Sequence, residues 1–271
     1  MKILVLSFLL LATTACSRSS VMMSFADTLA VSKTDEYFDL TSQQKEDLKK
    51  DLRQDIDALK KEFLPEVAKT LRRIESEVSK GKIESELIAT HFTEFHVHFK
   101  KLTSYFANTA VKTVATFKPE QFDYFEKTMK EEIKDRSDVE EQNEKAFKRY
   151  RRSLEFWIGG LSQDQKDRIQ AFLKQNPYPV KLETENKEHI VKQFLEVKTD
   201  KEKLKVYVRT LYLDYEAPRL PSFTESLQLH KKAFQNFLSE SLWPTISKNQ
   251  LENLKANLIS RAEELEKLAQ R

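Results

Sequence analysis

The chain has 271 residues, a third of them charged, with 46 Lys+Arg against 43 Asp+Glu and a net formal charge of +3. The charges are interleaved, so the basic stripe of a nucleic-acid protein is missing and no nucleic-acid partner is expected; Arg149, Arg151 and Arg152 read as a solvated helix face. Glycine occurs only at Gly81, Gly159 and Gly160, which is too few for the turns of a sheet fold and excludes a glycine-rich phosphate loop.

The chain opens with Met1-Lys2, an apolar run from Ile3 to Ala12, and the small residues Thr13-Thr14-Ala15 before Cys16. That is the order of a secretory signal, and the run is well short of the roughly 20 apolar residues that span a bilayer. Residues 1–15 are therefore predicted to be a signal peptide. Cys16 is the only cysteine, so no internal disulfide can form, and acylation would remove a free thiol that an oxidising compartment makes a liability. The segment resembles the lipobox of bacterial lipoproteins, with Thr13 where leucine is usual. The resemblance implies lipid attachment at Cys16, palmitate among the acyl chains, and the membrane as a partner through that lipid. Ser17, in place of the aspartate that retains lipoproteins at the inner membrane of Gram-negative cells, implies the outer membrane, facing the periplasm.

Residues 16–36 read as a tether with a short amphipathic helix between Val21 and Val31. A strong helix starts at Thr41, with Leu48, Leu52, Ile56, Leu59 and Phe63 on one stripe, and Pro65 breaks it. A second covers Glu66 to Lys80 and stops at Gly81. A third is expected from Ile83 to Thr116, burying Leu87, Phe92, Phe95, Phe99, Leu102 and Phe106. A fourth is expected from Pro119 to Trp157, bent near 135–138. Gly159-Gly160 ends it. Helices follow at about 163–175, 183–198, 200–216, 222–241 and 248–270, separated by prolines. The fold class is all-α: an elongated bundle or array of about eight or nine helices.

One pattern occurs four times. Leu40-Thr41-Ser42-Gln43-Gln44, Phe117-Lys118-Pro119-Glu120-Gln121, Leu161-Ser162-Gln163-Asp164-Gln165 and Ile246-Ser247-Lys248-Asn249-Gln250 each read apolar, cap, two residues, Gln. Thr41, Ser162 and Ser247 with Gln44, Gln165 and Gln250 form capping boxes: the hydroxyl accepts from the amide three residues on, and the glutamine reaches back to the cap amide. Lys118 lacks the oxygen, but Pro119 suits the first helical position and Gln121 keeps the other half. Phe117 with Phe122 is a hydrophobic staple. Seven residues past the caps lie Leu48, Phe125, Ile169 and Leu254; eleven past lie Leu52, Met129, Leu173 and Leu258. Four helices that start alike permit a duplication into halves 37–160 and 161–271, although capping boxes recur in any α-protein.

Two families resemble this chain. Cys16-Ser17-Arg18, Tyr37-Phe38-Asp39-Leu40-Thr41-Ser42-Gln43-Gln44, Glu62-Phe63-Leu64-Pro65 and Arg152-Ser153-Leu154-Glu155-Phe156-Trp157-Ile158-Gly159 resemble an uncharacterised proteobacterial lipoprotein family, a domain of unknown function. That resemblance covers roughly 16–175 and implies a helical envelope protein with no known reaction. The Leu-Thr-x-x-Gln signature is also similar to that of Spy/CpxP-type periplasmic chaperones, which implies client binding on a helical cradle.

No catalytic pattern stands out, and neither an enzyme nor a cofactor is expected. His91, His96 and His98 cluster on one helix. His91 and His98, seven apart, are weak metal candidates, but no metal site is predicted and boundary packing is the simpler reading. Trp157 and Trp243 each end a helix before a signature; they anchor helix junctions or contact a partner. The sequence thus points to a lipid-anchored, non-enzymatic binding module for a periplasmic protein client or partner. A structural component of a larger envelope assembly and a metal-responsive sensor using His91, His96 and His98 are the alternatives.

Overall fold

The structure is a computed structural model that describes residues 23–81, 84–135 and 138–270. Residues 1–15, predicted to be a signal peptide, and Cys16 lie outside these residues. Every regular element among them is helical: α1 (Ala26–Phe38), α2 (Ser42–Glu62), α3 (Leu64–Ser79), α4 (Ser85–Ser104), α5 (Ala107–Val114), α6 (Pro119–Asp135), α7 (Val139–Ile158), α8 (Gln163–Gln175), α9 (Val180–Glu196), α10 (Lys201–Leu213), α11 (Pro221–Asn236) and α12 (Lys248–Ala269).

The chain breaks into more helices than the eight or nine that periodicity predicts, for local reasons. The expected helix 83–116 divides at Tyr105-Phe106. There the hydroxyls of Thr103 and Ser104 accept no helical role but donate to the carbonyls of Lys100 and Lys101, and Phe106 N bonds three residues back to Thr103. Such back-bonding competes with the i−4 ladder and loosens a helix. The expected helix 119–157 divides between α6 and α7, where the Asp138 carboxylate caps the new start by accepting from Glu141 N. The short helix expected at 21–31 instead continues to Phe38, and Asp39 ends it in the left-handed region at φ 46°. Beyond Asn236, α11 widens into a π-helical stretch, Phe237–Leu242, and then a 3₁₀ turn, Trp243–Thr245. Pro244, which has no amide to donate, sits where the α-ladder is lost.

The apolar stripes do not meet in a single centre. They form six buried clusters strung along the helix contacts. The most extensive helix pair is α3 with α12, which joins an early helix to the last. Its axis of contact holds Ala68 and Ala262, both fully buried, beside Leu71, Val78 and Leu258. Small side chains there let the two helices approach closely. Arg72 adds a two-point contact to Glu266 at 2.8 Å across the same seam, exposed and so of small energetic weight. Elsewhere α1 packs on α2 and α6, α5 on α10, α6 on α9, and α7 on α8 and α12.

Candidate functional site

The four signature glutamines are where the chain concentrates its buried polarity. Gln44, Gln121, Gln165 and Gln250 are all buried. Each carbonyl oxygen accepts from the backbone amide at its own helix start, at 3.0 Å in all four cases: Thr41, Lys118, Ser162 and Ser247. In three, the cap hydroxyl also accepts from the glutamine's amide, which completes the capping box. At Lys118, which has no such oxygen, the glutamine half alone remains.

The glutamines also bond one another. Gln44 Nε2 donates to Gln121 Oε1 at 3.1 Å, and Gln121 Nε2 returns to Gln44 Oε1 at 3.0 Å. Gln165 and Gln250 do the same at 3.0 and 2.9 Å. The second proton of each side chain goes to a backbone carbonyl of the opposite segment. Gln44 reaches Thr116 O and Gln165 reaches Thr245 O, each threonine lying two residues before the partner's cap. Gln250 reaches Gly160 O, again two before the cap, while Gln121 is shared between Phe38 O at 2.9 Å and Asp39 O at 3.2 Å, three and two before Thr41. Each carboxamide thus has two donors and two acceptors, all used, so its burial carries no unpaired group. The apolar residues that open the paired signatures share a buried cluster: Leu40 with Phe117 at the first, Leu161 with Ile246 at the second. Phe117 also meets Phe122 edge-on, centroids 5.9 Å apart, as a staple requires.

The capping pattern assigned each glutamine to its own helix and not to a partner. The signal was present in a weaker form: the same residue at the same offset from four caps, where a glutamate would cap as well but could not donate to a partner.

On α4 two of the three histidines face α3 and the third faces away from it. His91 faces α3, with Nε2 2.8 Å from Glu77 Oε2 and Nδ1 3.3 Å from Glu94 Oε2. His98 also faces α3, Nε2 2.9 Å from Thr70 Oγ1. His96 faces the other way, toward Glu216 at 3.0 Å and Tyr215 OH at 3.1 Å. Burial pushes His96 and His98 below the ordinary histidine value; Glu216 opposes this at His96, and Glu66 and Glu94 oppose it at His98. Among the described residues no three His, Cys, Asp or Glu side chains are grouped to hold a metal ion.

A fourth histidine escaped the sequence reading. His230 of α11 is buried among Tyr150, Phe172 and Tyr178. Its Nε2 lies 2.5 Å from Tyr150 OH. Burial pushes Tyr150 up to about 12 and His230 down, the latter opposed by the Asn176 backbone; the tautomer of the ring sets which of the two donates. These aromatics come from α7, α8, the loop before α9 and α11, and no local spacing brings them together.

Residues 36–223 match the model of DUF6279, a family of unknown function. The chain belongs to that family. No curated protein and no solved structure matches it. In this DUF6279 protein the matched span takes in the signatures at Gln44, Gln121 and Gln165 and ends before that at Gln250.

Trp157 and Trp243 of the DUF6279 chain are half-buried and packed into the apolar clusters beside α12. The carbonyl of Trp157 accepts from Asn257 Nδ2 at 2.9 Å, which fixes the end of α7 on α12. Large apolar side chains turned to solvent lie elsewhere, among them Phe25 just before α1, Leu29 on α1, Val97 on α4, Val206 and Leu213 on α10, and Leu229 on α11. No helix among the described residues is long and apolar enough to cross a membrane.

Proposed function

We infer that this DUF6279 protein is a lipid-anchored envelope lipoprotein whose helical body is a non-enzymatic binding module for a protein partner in the periplasm, held at the outer membrane by its lipid. The observation that carries the reading is Cys16, the only cysteine in the chain, placed directly after a ten-residue apolar run and three small residues. An acylated cysteine there leaves the body, which begins within ten residues of it, next to the membrane surface.

A binding role is favoured by how polar and apolar groups are distributed. The buried glutamines and His230 are engaged in holding helices together, while Val206 and Leu229 are more than half exposed on outward faces. Val206 and Leu229 are the most exposed large apolar side chains among the described residues, so they are the positions from which a partner contact is tested.

Metabolic labelling with a palmitate analogue tests the anchor. The wild-type protein takes up label and sediments with membranes; Cys16→Ala loses both. An unlabelled wild type, or an unchanged membrane fraction for Cys16→Ala, overturns the anchor. Photo-crosslinking in cells from positions 206 and 229 tests the binding role: a discrete protein adduct supports it, and none at either position counts against it.

A further inference from the structure

The outward face of α1 and the turn before it differs from the rest of the surface. Ser24, Phe25, Thr28, Leu29 and Ser32 are all exposed and uncharged, in a chain that is a third charged; the first exposed charge along this face is Glu36, near the far end of α1 and paired with Lys33. Phe25 is 57 % exposed and Leu29 48 %. One turn apart, they stand on the same side. The helix is not loose: Ala26 and Val31 are buried against α2, and Asp27 is turned inward, where its carboxylate accepts from Arg53 Nε at 2.7 Å. Phe25 and Leu29 are therefore held outward on a docked helix.

Chain length adds a second constraint. Seven residues lead from Cys16 to Met23. Even fully extended they reach no more than about 25 Å, so a lipid on Cys16 stays within that distance of Met23, just before α1. Arg18 is the only charge between Cys16 and Ala26, and its sign suits anionic lipid headgroups.

We propose that in the lipidated protein Phe25 and Leu29 seat in the bilayer interface, so that acyl chains and α1 together make a two-point attachment that orients the body on the membrane. This rests on acylation of Cys16. A protein occupant fits less well: two apolar side chains flanked by small hydroxyl residues fall far below the area of a specific protein interface. A bilayer requires less, because the lipid already supplies the encounter and the second contact is intramolecular.

The test uses the full-length acylated protein in vesicles of phosphatidylethanolamine and phosphatidylglycerol. A photoreactive phenylalanine analogue is placed at residue 25, at residue 29, or at the equally exposed control position 206, and adducts are read by mass spectrometry. Phospholipid adducts are expected at 25 and 29 and at least ten-fold fewer at 206. With the analogue at residue 32, the double variant Phe25→Ser, Leu29→Ser should lower lipid adducts several-fold while its circular dichroism stays that of the parent. Absence of lipid adducts at 25 and 29, or adducts equal to those at 206, overturns the proposal when the mass of the N-terminal peptide shows Cys16 acylated. A peptide without acyl mass reports instead the failure of the anchor on which the proposal rests.

Discussion

Gln165 and Gln250 donate to each other's carbonyl oxygens across 85 residues of chain, and each at the same time caps its own helix. Removing one therefore removes two kinds of interaction. Gln165→Ala strips the cap amide of Ser162 of its acceptor, leaves the Thr245 carbonyl without that donor, and leaves Gln250 with half its bonds in a buried site. A lost cap costs about 1 kcal/mol and even one buried group left unpaired about 1–3 kcal/mol, so a destabilisation of at least about 2–4 kcal/mol is expected in urea unfolding. In a double-mutant cycle, Gln165→Ala with Gln250→Ala should show coupling of at least about 1 kcal/mol. Additive costs would mean that each glutamine serves only its own helix.

Gly159 closes α7 at φ +83°, and a Cβ built there would stand 2.6 Å from Asn253 Nδ2. That same amide donates to Ile158 O at 3.3 Å, so it cannot move without losing a tie between α7 and α12. Gly159→Ala is expected to cost about 1–3 kcal/mol from backbone strain and the displaced amide. Gly160→Ala meets nothing within 4 Å and should stay within about 0.5 kcal/mol of the parent. Thermal melts of the two variants side by side check the contrast. Equal melting points would show that the glycine pair acts only as a spacer.

What the sequence disclosed divides along local and non-local lines. Helix class, the cap residues Thr41, Ser162 and Ser247, and the stripe through Leu48, Leu52, Ile169 and Leu258 were legible because each depends on residues within a few turns. The breaks at Tyr105-Phe106 and before Asp138 were softer, since no proline or glycine marks them and hydroxyl or carboxylate side chains decide them. The glutamine pairing and the His230 cage were out of reach, because both are made by segments 77 to 85 residues apart. The two junctions repeat one geometry, down to a carbonyl two residues before each cap that accepts from the partner's glutamine.

The two halves that a duplication would give, 37–160 and 161–271, are not expected to fold separately. The fully buried Ala68 and Ala262 face one another's helices across the α3–α12 seam, one from each half. Residues 37–160 expressed alone would expose Ala68, Leu71 and Val78 and should bind a hydrophobic dye without a cooperative unfolding transition. Adding residues 161–271 in trans should suppress the dye signal. In the intact chain, Ala262→Leu forces extra volume into the seam and should cost about 1–3 kcal/mol. A cooperative, dye-free 37–160 fragment would show that the halves are independent domains.

The pH dependence of stability follows from the buried histidines. Burial pushes His230 down, with Arg149 adding to the shift, and pushes His96 and His98 down as well. Above an unfolded value of about 6.5 both states are neutral and the rings contribute nothing. Below it the unfolded chain binds protons that the folded chain refuses, so stability falls as the pH drops from about 6.5 toward the lower folded values. This window lies above that of Asp27, whose carboxylate is raised by burial but lowered further by Arg53 and Thr28, and whose contribution is lost only in the carboxylate range. His230→Gln keeps a hydrogen-bonding partner for Tyr150 and has no proton to take up. Its urea midpoint should therefore change less between pH 7.5 and pH 5.5 than that of the parent. Parallel pH profiles for the two proteins would mean that His230 does not carry the dependence, and the burden would pass to His96 and His98 on α4.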